Sequence, residues 1–236
     1  KANSIVDMSV LEHAVREDLN ARTPRVMAVL EPLKVVIENY PAKQEETFDV
    51  PYYKQDKTRT ESRPIPFSRE IYIERDDFME EPVKGYKRLA PEEEVRLMNA
   101  YVIACTGVVK DKAGRIVELR ATYDPATRGG LAPEGRKVKG TIHWVSAEHA
   151  LPAEVRLYEP LFTQANPEEG VDDFVENLNP DSIRVVDALV EPSLAAAAPG
   201  DKFQFVRDGY FCVDLDSEPE RLVFNRTVSL KDTWKA

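Results

Sequence analysis

The stretch GRKVKGTIHWVSAEHALPAEVRLYEPLF, residues 135–162, places a basic segment directly in front of an apolar–polar alternation. The alternating residues TIHWV are typical of a β-strand. Arg136, Lys137 and Lys139 precede this strand, and Trp144 lies within it. Cations and flat rings are the residue types that hold an anionic, base-bearing partner. We therefore expect a nucleic-acid contact here, with the three cations on phosphate and Trp144, flanked by apolar residues, in the core.

Short apolar segments on both sides of this stretch predict further strands, because they are rich in β-branched and aromatic residues and lie between turn signals such as Asp124-Pro125. With 17 prolines and no regular βαβ rhythm, the chain is predicted to be mostly β, in barrels or sandwiches. We expect polar loops at residues 39–66 and 166–173, and a single helical turn at 194–200. The predicted strands are residues 26–30, 34–37, 71–73, 95–97, 100–106, 116–122, 141–145 and 155–158.

The N-terminal region predicts one amphipathic helix over residues 8–20. Its apolar residues recur at helical spacing, and either Asp7 or Ser9 could cap its start. Thr23-Pro24 ends the helix, because the residue before a proline is pushed out of the helical region. The predicted apolar face consists of Val10, Leu11, Ala14, Val15 and Leu19.

Length and composition indicate a globular protein with one large domain or two small ones, since the chain has 236 residues, 42% hydrophobic and 31% charged. No apolar run approaches the roughly 18 residues that suggest a membrane span, and the first residues lack the layout of a secretory signal. Cys105 and Cys212 are the only cysteines, and we expect both to be buried thiols. These features predict a cytoplasmic protein without a disulfide framework or membrane contact.

The net charge of −10 is distributed unevenly along the chain. Residues 84–156 contain 13 Lys and Arg against 9 Asp and Glu, whereas the remainder contains 19 against 33. Non-specific polyanion binders are usually basic throughout, so a basic middle in an acidic chain favours a positioned, selective RNA contact. An ordinary fluctuation in charge explains the numbers equally well.

The sequence lacks the motifs of several kinds of catalytic site. Gly129-Gly130 has no strand–helix context for a phosphate-binding loop. The three histidines have no partners at metal-ligand spacing, Cys105 has no neighbouring histidine, and no Gly-x-Ser-x-Gly elbow occurs. We therefore expect no catalytic residue and no metal site in this chain.

Two more motifs accompany the opening stretch: KGYKRL at residues 84–89 and FQFVRDGYF at residues 203–211. Together the three segments resemble the C-terminal half of glutaminyl-tRNA synthetases. Matching segments follow the family's order from about Met8 to Trp234, so the resemblance covers nearly the whole chain. The two signature motifs of class I synthetases do not occur, so the ATP site and the glutamine pocket are expected upstream of Lys1.

The resemblance implies a helical segment at residues 1–23 followed by two six-stranded antiparallel β-barrels. The proximal barrel is expected to combine residues 24–70 with residues 160–236. The distal barrel, residues 71–159, is expected to lie between those two segments in the chain. Periodicity alone gives the mostly β character but not this closure.

The resemblance also implies which residues read the three anticodon bases. Arginine suits base edges because its planar fork donates two parallel hydrogen bonds, whereas lysine acts more as a point charge on phosphate. Arg25, Gln204 and Arg207 are expected to converge on the middle uracil. The other expected anticodon contacts are Asn20, Lys87, Arg88 and Arg96.

Simpler roles stay open for some of these residues. Lys87 and Arg88 could belong to a solvated strand end, and Arg207 could form a turn salt bridge with its acidic neighbour. Gly85 stands where the resemblance predicts a glutamine, and Met98 where it predicts an arginine. Contacts to the first and third anticodon bases are therefore left unassigned.

The function that the resemblance implies is anticodon-loop recognition within an enzyme that ligates glutamine to its tRNA using ATP. The expected partners are glutamine tRNA isoacceptors, and the chain is expected to be a monomer. No cofactor is expected in this chain; ATP with magnesium is expected in the catalytic domain. Alternatives are the same module of a glutamyl-tRNA synthetase, a non-catalytic RNA-binding β-barrel protein, or a structural β domain that binds no RNA.

Overall fold

The computed structural model describes residues 8–131 and 136–231, which fold into one α-helix and sixteen mostly short β-strands. The helical prediction is confirmed, although Ser9 lies within the helix and the alternative cap Asp7 lies outside the described residues. The elements are α1 (Met8–Arg22), β1 (Arg25–Val26), β2 (Ala28–Val29), β3 (Pro32–Ile37), β4 (Glu46–Pro51), β5 (Ser62–Phe67), β6 (Glu70–Glu74), β7 (Glu94–Leu97), β8 (Val102–Lys110), β9 (Ile116–Asp124), β10 (Thr141–Ile142), β11 (Val145–Ser146), β12 (Leu151–Tyr158), β13 (Ile183–Val190), β14 (Lys202–Phe205), β15 (Gly209–Val213) and β16 (Leu222–Ser229).

The strands form two seven-stranded sheets and one separate hairpin, β4–β5. The first sheet has the order β1-β14-β15-β16-β12-β13-β2, and the second has the order β10-β7-β8-β9-β3-β6-β11. One sheet curls into a nearly closed barrel and the other into a half-barrel, which confirms the mostly β architecture with two barrel-like parts.

Strand number and direction differ from the prediction of two six-stranded antiparallel barrels. Each sheet has seven strands, and three of the pairs, β3–β9, β7–β10 and β12–β16, are parallel. Parallel neighbours require long crossover connections. The chain supplies them by returning after intervening strands; β3 and β9, for example, are separated in sequence by five other strands.

The described chain divides into two compact units. The first unit comprises the described residues up to Pro24, together with 153–187 and those from Ala197 onward; the second comprises 25–152 and 188–196. The predicted barrels, residues 24–70 with 160–236 and residues 71–159, stay a prediction. In the second sheet, β3 pairs with both β6 and β9. The apolar pattern of β3 is the same whichever sheet the strand joins, so the sequence does not reveal its partner.

Helix α1 packs in the first unit through its last turns. Leu19 is buried against Tyr210 and Val228, and the half-buried Val15 adds to this cluster. The Thr23 side chain donates a hydrogen bond to the Leu19 carbonyl at 2.7 Å, which satisfies a carbonyl at the end of the helix.

The predicted apolar face of α1 is only partly buried. Val10 and Leu11, on its first turn, are exposed rather than buried within the described chain. None of the helices in the described residues is long and apolar enough to cross a membrane.

An aromatic core fills the second unit. Trp144 has no exposed surface, as predicted, and its indole Nε1 donates to the Met98 carbonyl at 3.0 Å. Its ring centroid lies 5.0 Å from that of Phe67 in an edge-to-face arrangement, a geometry that contributes beyond the buried area. The residue therefore packs in the core and offers no stacking surface to a base.

Residues 39–66, predicted to be a long surface loop, instead contain the β4–β5 hairpin. Phe48 and Ile65 face each other across the hairpin and are buried. Burial raises the pKa of the Tyr40 and Tyr101 hydroxyls, and the hydrogen bond of each hydroxyl to Glu46 on β4 raises it further. The segment is thus an integral part of the second unit's core.

The two cysteines differ in environment. Cys105 is buried, as predicted, and burial raises the pKa of its thiol. Cys212, on β15, is only partly buried, which corrects the prediction for this residue. Both are free thiols in the structure.

Candidate nucleic-acid interface

The residues predicted to contact RNA occur in both units. Each unit therefore contributes its own set of candidate contacts. The first unit holds Asn20, Gln204 and Arg207; the second holds Arg25, Lys87, Arg88, Arg96, Arg136, Lys137 and Lys139.

In the first unit, Gln204 and Arg207 lie at one end of the β14–β15 hairpin. Gln204 is opposite Tyr210 in the register, and its backbone N–H donates to the Pro24 carbonyl at 2.9 Å. Pro24 directly follows the end of α1, whose last turn carries the exposed Asn20. This hydrogen bond thus connects the strand carrying Gln204 to the chain just beyond the helix.

Arg207 occupies the turn of that hairpin with a left-handed backbone, at φ +75°. Such a conformation is uncommon for a residue other than glycine, and it occurs where a turn requires it. The Asp208 N–H donates to the Phe205 carbonyl at 3.1 Å and closes the turn. The arginine is therefore held at a defined, half-buried position rather than on a long mobile loop.

In the second unit, the KGYKRL segment forms an anchored turn. Gly85 has φ +91°, in the left-handed region that glycine adopts without steric cost. The Tyr86 hydroxyl donates to the Asp76 carbonyl at 3.2 Å. Arg88 Nη1 lies 3.1 Å from an Asp77 carboxylate oxygen. The segment is therefore a turn held by these contacts, in which Lys87 and Arg88 are both exposed.

Arg96 lies on β7, which pairs in parallel with β10. Its backbone N–H donates to the Gly140 carbonyl at 3.0 Å. Its side chain is half-buried, and within the described residues its Nε finds no hydrogen-bond acceptor. A buried guanidinium nitrogen without an acceptor is costly. Because the Nε atom is itself buried, an incoming ligand could meet only the exposed part of the Arg96 side chain.

The three cations of the opening stretch have different environments. Arg136 is paired with both Glu94 and Asp124, whose side-chain hydrogen bonds raise the pKa of its guanidinium. Lys139 lies 3.1 Å from a Glu93 carboxylate oxygen.

Lys137 is exposed and makes no ion pair within the described ranges. Of these three predicted phosphate contacts, it is the most available to an incoming anion.

Arg25 is half-buried on β1 in the second unit. Its backbone N–H donates to the Tyr52 carbonyl at 3.0 Å, at the root of the β4–β5 hairpin. Gln204 and Arg207 belong to the first unit. The convergence of all three side chains on one base stays a prediction.

One group of side chains in the second unit has the composition of a metal site. Ligand atoms of Glu45, Glu148 and His149 lie within 4.8 Å of one another, and His149 Nε2 is 3.4 Å from a Glu45 oxygen. Histidine spacing had predicted no such acidic neighbours, because Glu45 comes from a distant part of the sequence. Both glutamates are exposed, and exposed acidic groups often cluster without an ion, so the grouping does not by itself define a site.

Sequence reasoning missed the residues that hold the KGYKRL segment in place. Asp77 is fully buried beside Arg88, and Gly140 approaches the backbone of Lys87. Neither belongs to a motif with known chemistry. The only signal was the position of Gly140 directly after Lys139, in a segment already predicted to bind RNA.

Two family models match the chain, and both carry the description anticodon-binding domain of class I tRNA synthetases (E and Q). The first matches residues 23–124 and the second residues 141–214. The KGYKRL segment, residues 84–89, falls within the first range, and the β14–β15 hairpin that contains FQFVRDGYF falls within the second.

Similar full-length proteins are glutamine–tRNA ligases. That of Nitrobacter hamburgensis is 55% identical over 99% of this chain and 41% of its own length. That of Pseudomonas putida is also 55% identical, over 99% of this chain and 41% of its own length. That of Clostridium kluyveri is 52% identical over 100% of this chain and 42% of its own. The chain thus spans about two fifths of the length of these relatives.

Proposed function

The chain belongs to the anticodon-binding domain family of class I glutamyl- and glutaminyl-tRNA synthetases, and from this premise we propose that it binds the anticodon loop of glutamine tRNAs. The observation that most supports this is the pair of family matches along the chain, together with relatives named as glutamine–tRNA ligases. An anticodon is a single-stranded loop whose bases can be splayed out and read on their Watson–Crick edges.

The proposed reading of the middle base follows from hydrogen-bond complementarity. A uracil edge presents two carbonyl acceptors and one N–H donor. Arg25 and Arg207 supply donors, and Gln204 supplies the acceptor with a further donor. Cytosine would instead turn an amino group toward these donors and leave it without an acceptor. We therefore propose that this position selects uracil over cytosine.

The remaining cations are expected to contribute unequally to RNA binding. Arg88 is partly exposed and the side chain of Arg96 is half-buried, so both can still donate hydrogen bonds to RNA. Lys87 and Lys137 are exposed and suit phosphate. Arg136 must give up two carboxylate contacts before it can hold a phosphate, so we assign it the weakest contribution of the set.

The activity of the longer protein is part of the proposal. We propose that it is a glutamine–tRNA ligase that uses ATP with magnesium in a part of the protein outside this sequence. This chain would orient the tRNA without catalysing a step itself, and it would act as a cytoplasmic monomer. The family description includes the glutamyl branch, but the relatives cited above favour glutamine.

Filter binding to anticodon stem-loops tests the function. The chain is expected to bind a stem-loop carrying a glutamine anticodon more tightly than stem-loops that differ only in the three anticodon bases. Equal affinity for all of these stem-loops would show that the protein binds RNA without reading the anticodon. No binding to any stem-loop would leave only a structural role.

A further inference from the structure

We propose that Asp77 and Gly140 are positioning residues that fix Lys87 and Arg88 for RNA binding. The inference rests on the proposed function, since it assigns a role to residues around the same surface. Neither residue would touch RNA. Each would act through the KGYKRL segment, one by an ion pair and the other by leaving space.

Asp77 holds Arg88 through a buried carboxylate. Its side chain is fully buried, whereas that of Arg88 is 44% exposed. The ion pair between them spans 3.1 Å, and Arg88 Nη1 also donates to the Asp76 carbonyl at 3.2 Å. A buried carboxylate is costly without partners, so Asp77 constrains Arg88 strongly. The guanidinium has five N–H donors, and these two contacts use one nitrogen and leave others for a ligand.

Backbone hydrogen bonds on both sides of Asp77 also hold the end of the KGYKRL segment in place. The Leu89 N–H donates to the Asp77 carbonyl at 3.0 Å, and the Met79 N–H donates to the Leu89 carbonyl at 3.1 Å. The chain on either side of Asp77 is therefore bonded to the end of the KGYKRL segment. Arg88 is held by its side chain and by the residue that follows it.

Gly140 lies close to the backbone of the same segment. A Cβ atom on this residue would lie 1.9 Å from the Lys87 carbonyl oxygen, far closer than real Cβ contacts. The glycine is not in the left-handed region, so it is required for space rather than for backbone freedom. Its own carbonyl accepts the Arg96 N–H at 3.0 Å. One glycine thus sets the spacing between the segment carrying Lys87 and the strand carrying Arg96.

Preorganisation explains why this matters for affinity. Ordering a long cationic side chain or a loop upon binding weakens association, and a site fixed in advance avoids that loss. Asp77 and Gly140 fix the turn without placing extra charge at its surface. The arrangement predicts that RNA affinity depends on both residues through the cations they position.

A double-mutant cycle on the full 236-residue chain tests the role of Gly140. With a glutamine-anticodon stem-loop as probe, Gly140→Ala is expected to weaken binding by about tenfold, within the range of losing one contact. In a Lys87→Ala/Arg88→Ala/Arg96→Ala background the same change is expected to alter affinity by less than about twofold, because its effect would pass through those three cations. Gly107→Ala is the matched control, since a Cβ there would meet the Arg120 Cβ at an ordinary 3.5 Å.

Asp77→Asn provides a second test that preserves the shape of the buried side chain. It is expected to weaken binding in the wild-type background and to have no effect when Arg88 is already alanine. Binding losses of equal size in both backgrounds, or no loss for either variant in the wild-type background, overturn the positioning role while the proposed function stands. Failure of the wild-type chain to bind any stem-loop overturns both.

Discussion

A buried ion pair shows how single residues stabilise the second unit. Arg63 and Glu191 have side chains that are 4% and 1% exposed, and two guanidinium nitrogens donate to the carboxylate at 2.7 and 2.8 Å. Glu191 also accepts the Met27 N–H at 2.7 Å. The third guanidinium nitrogen donates to two backbone carbonyls of β4. Each charge is therefore satisfied, and removing either partner would leave the other uncompensated.

Replacing Glu191 with alanine is expected to lower the free energy of unfolding by about 3–5 kcal/mol, because Arg63 would stay buried without its counter-charge. Urea unfolding followed by circular dichroism measures the change. Arg115→Ala is the control, since its pair with Asp111 is exposed and should change stability little. A loss for Glu191→Ala no larger than that of the control would contradict the prediction.

At the scale of elements, local signals predicted the helix end and several strands. Pro24 explains why α1 ends at Arg22. Pro32 lies between the predicted strands 26–30 and 34–37, yet it begins β3, a position where a proline's missing N–H breaks no ladder bond.

The β4–β5 hairpin escaped prediction because Pro51, Pro64 and Pro66 lie within its strands. Prolines are tolerated at sheet edges, and the hairpin is a sheet of only two strands. Buried Phe48 lies between the polar residues Thr47 and Asp49, but the surrounding charged residues obscured this alternation.

The basic segment from residue 84 to residue 139 is the element expected to hold phosphates. Affinity for an anticodon stem-loop should fall with salt at a log–log slope near −0.7 for each phosphate contacted, and we expect about three to five contacts. Lys137→Ala should reduce the magnitude of the slope by about 0.7, since that lysine is exposed and unpaired within the described residues. Affinities measured from low to high salt give both slopes. If the affinity does not change with salt, the segment does not hold phosphates and has a structural role instead.

At the scale of the whole molecule, the family resemblance supplied what periodicity could not. The positions of Arg25, Gln204 and Arg207 came from motifs about 180 residues apart, and no local rule relates them. The roles of Asp77 and Gly140 depend on contacts between segments distant in sequence, which a single sequence does not reveal. The sequence likewise did not determine which strands pair with each other. The pairing of β3 with β6 and β9 in the second sheet is an example.

The central claim is that this chain reads the middle anticodon base, and its most direct measurement is the affinity ratio between stem-loops with uracil and with cytosine at that position. Arg207→Ala is expected to weaken binding of the uracil stem-loop by about 1–3 kcal/mol and to narrow the ratio, because it removes a base contact. Lys137→Ala should weaken both stem-loops about equally and leave the ratio unchanged. If Arg207→Ala leaves the ratio of the uracil and cytosine affinities at its wild-type value, Arg207 does not read the middle base.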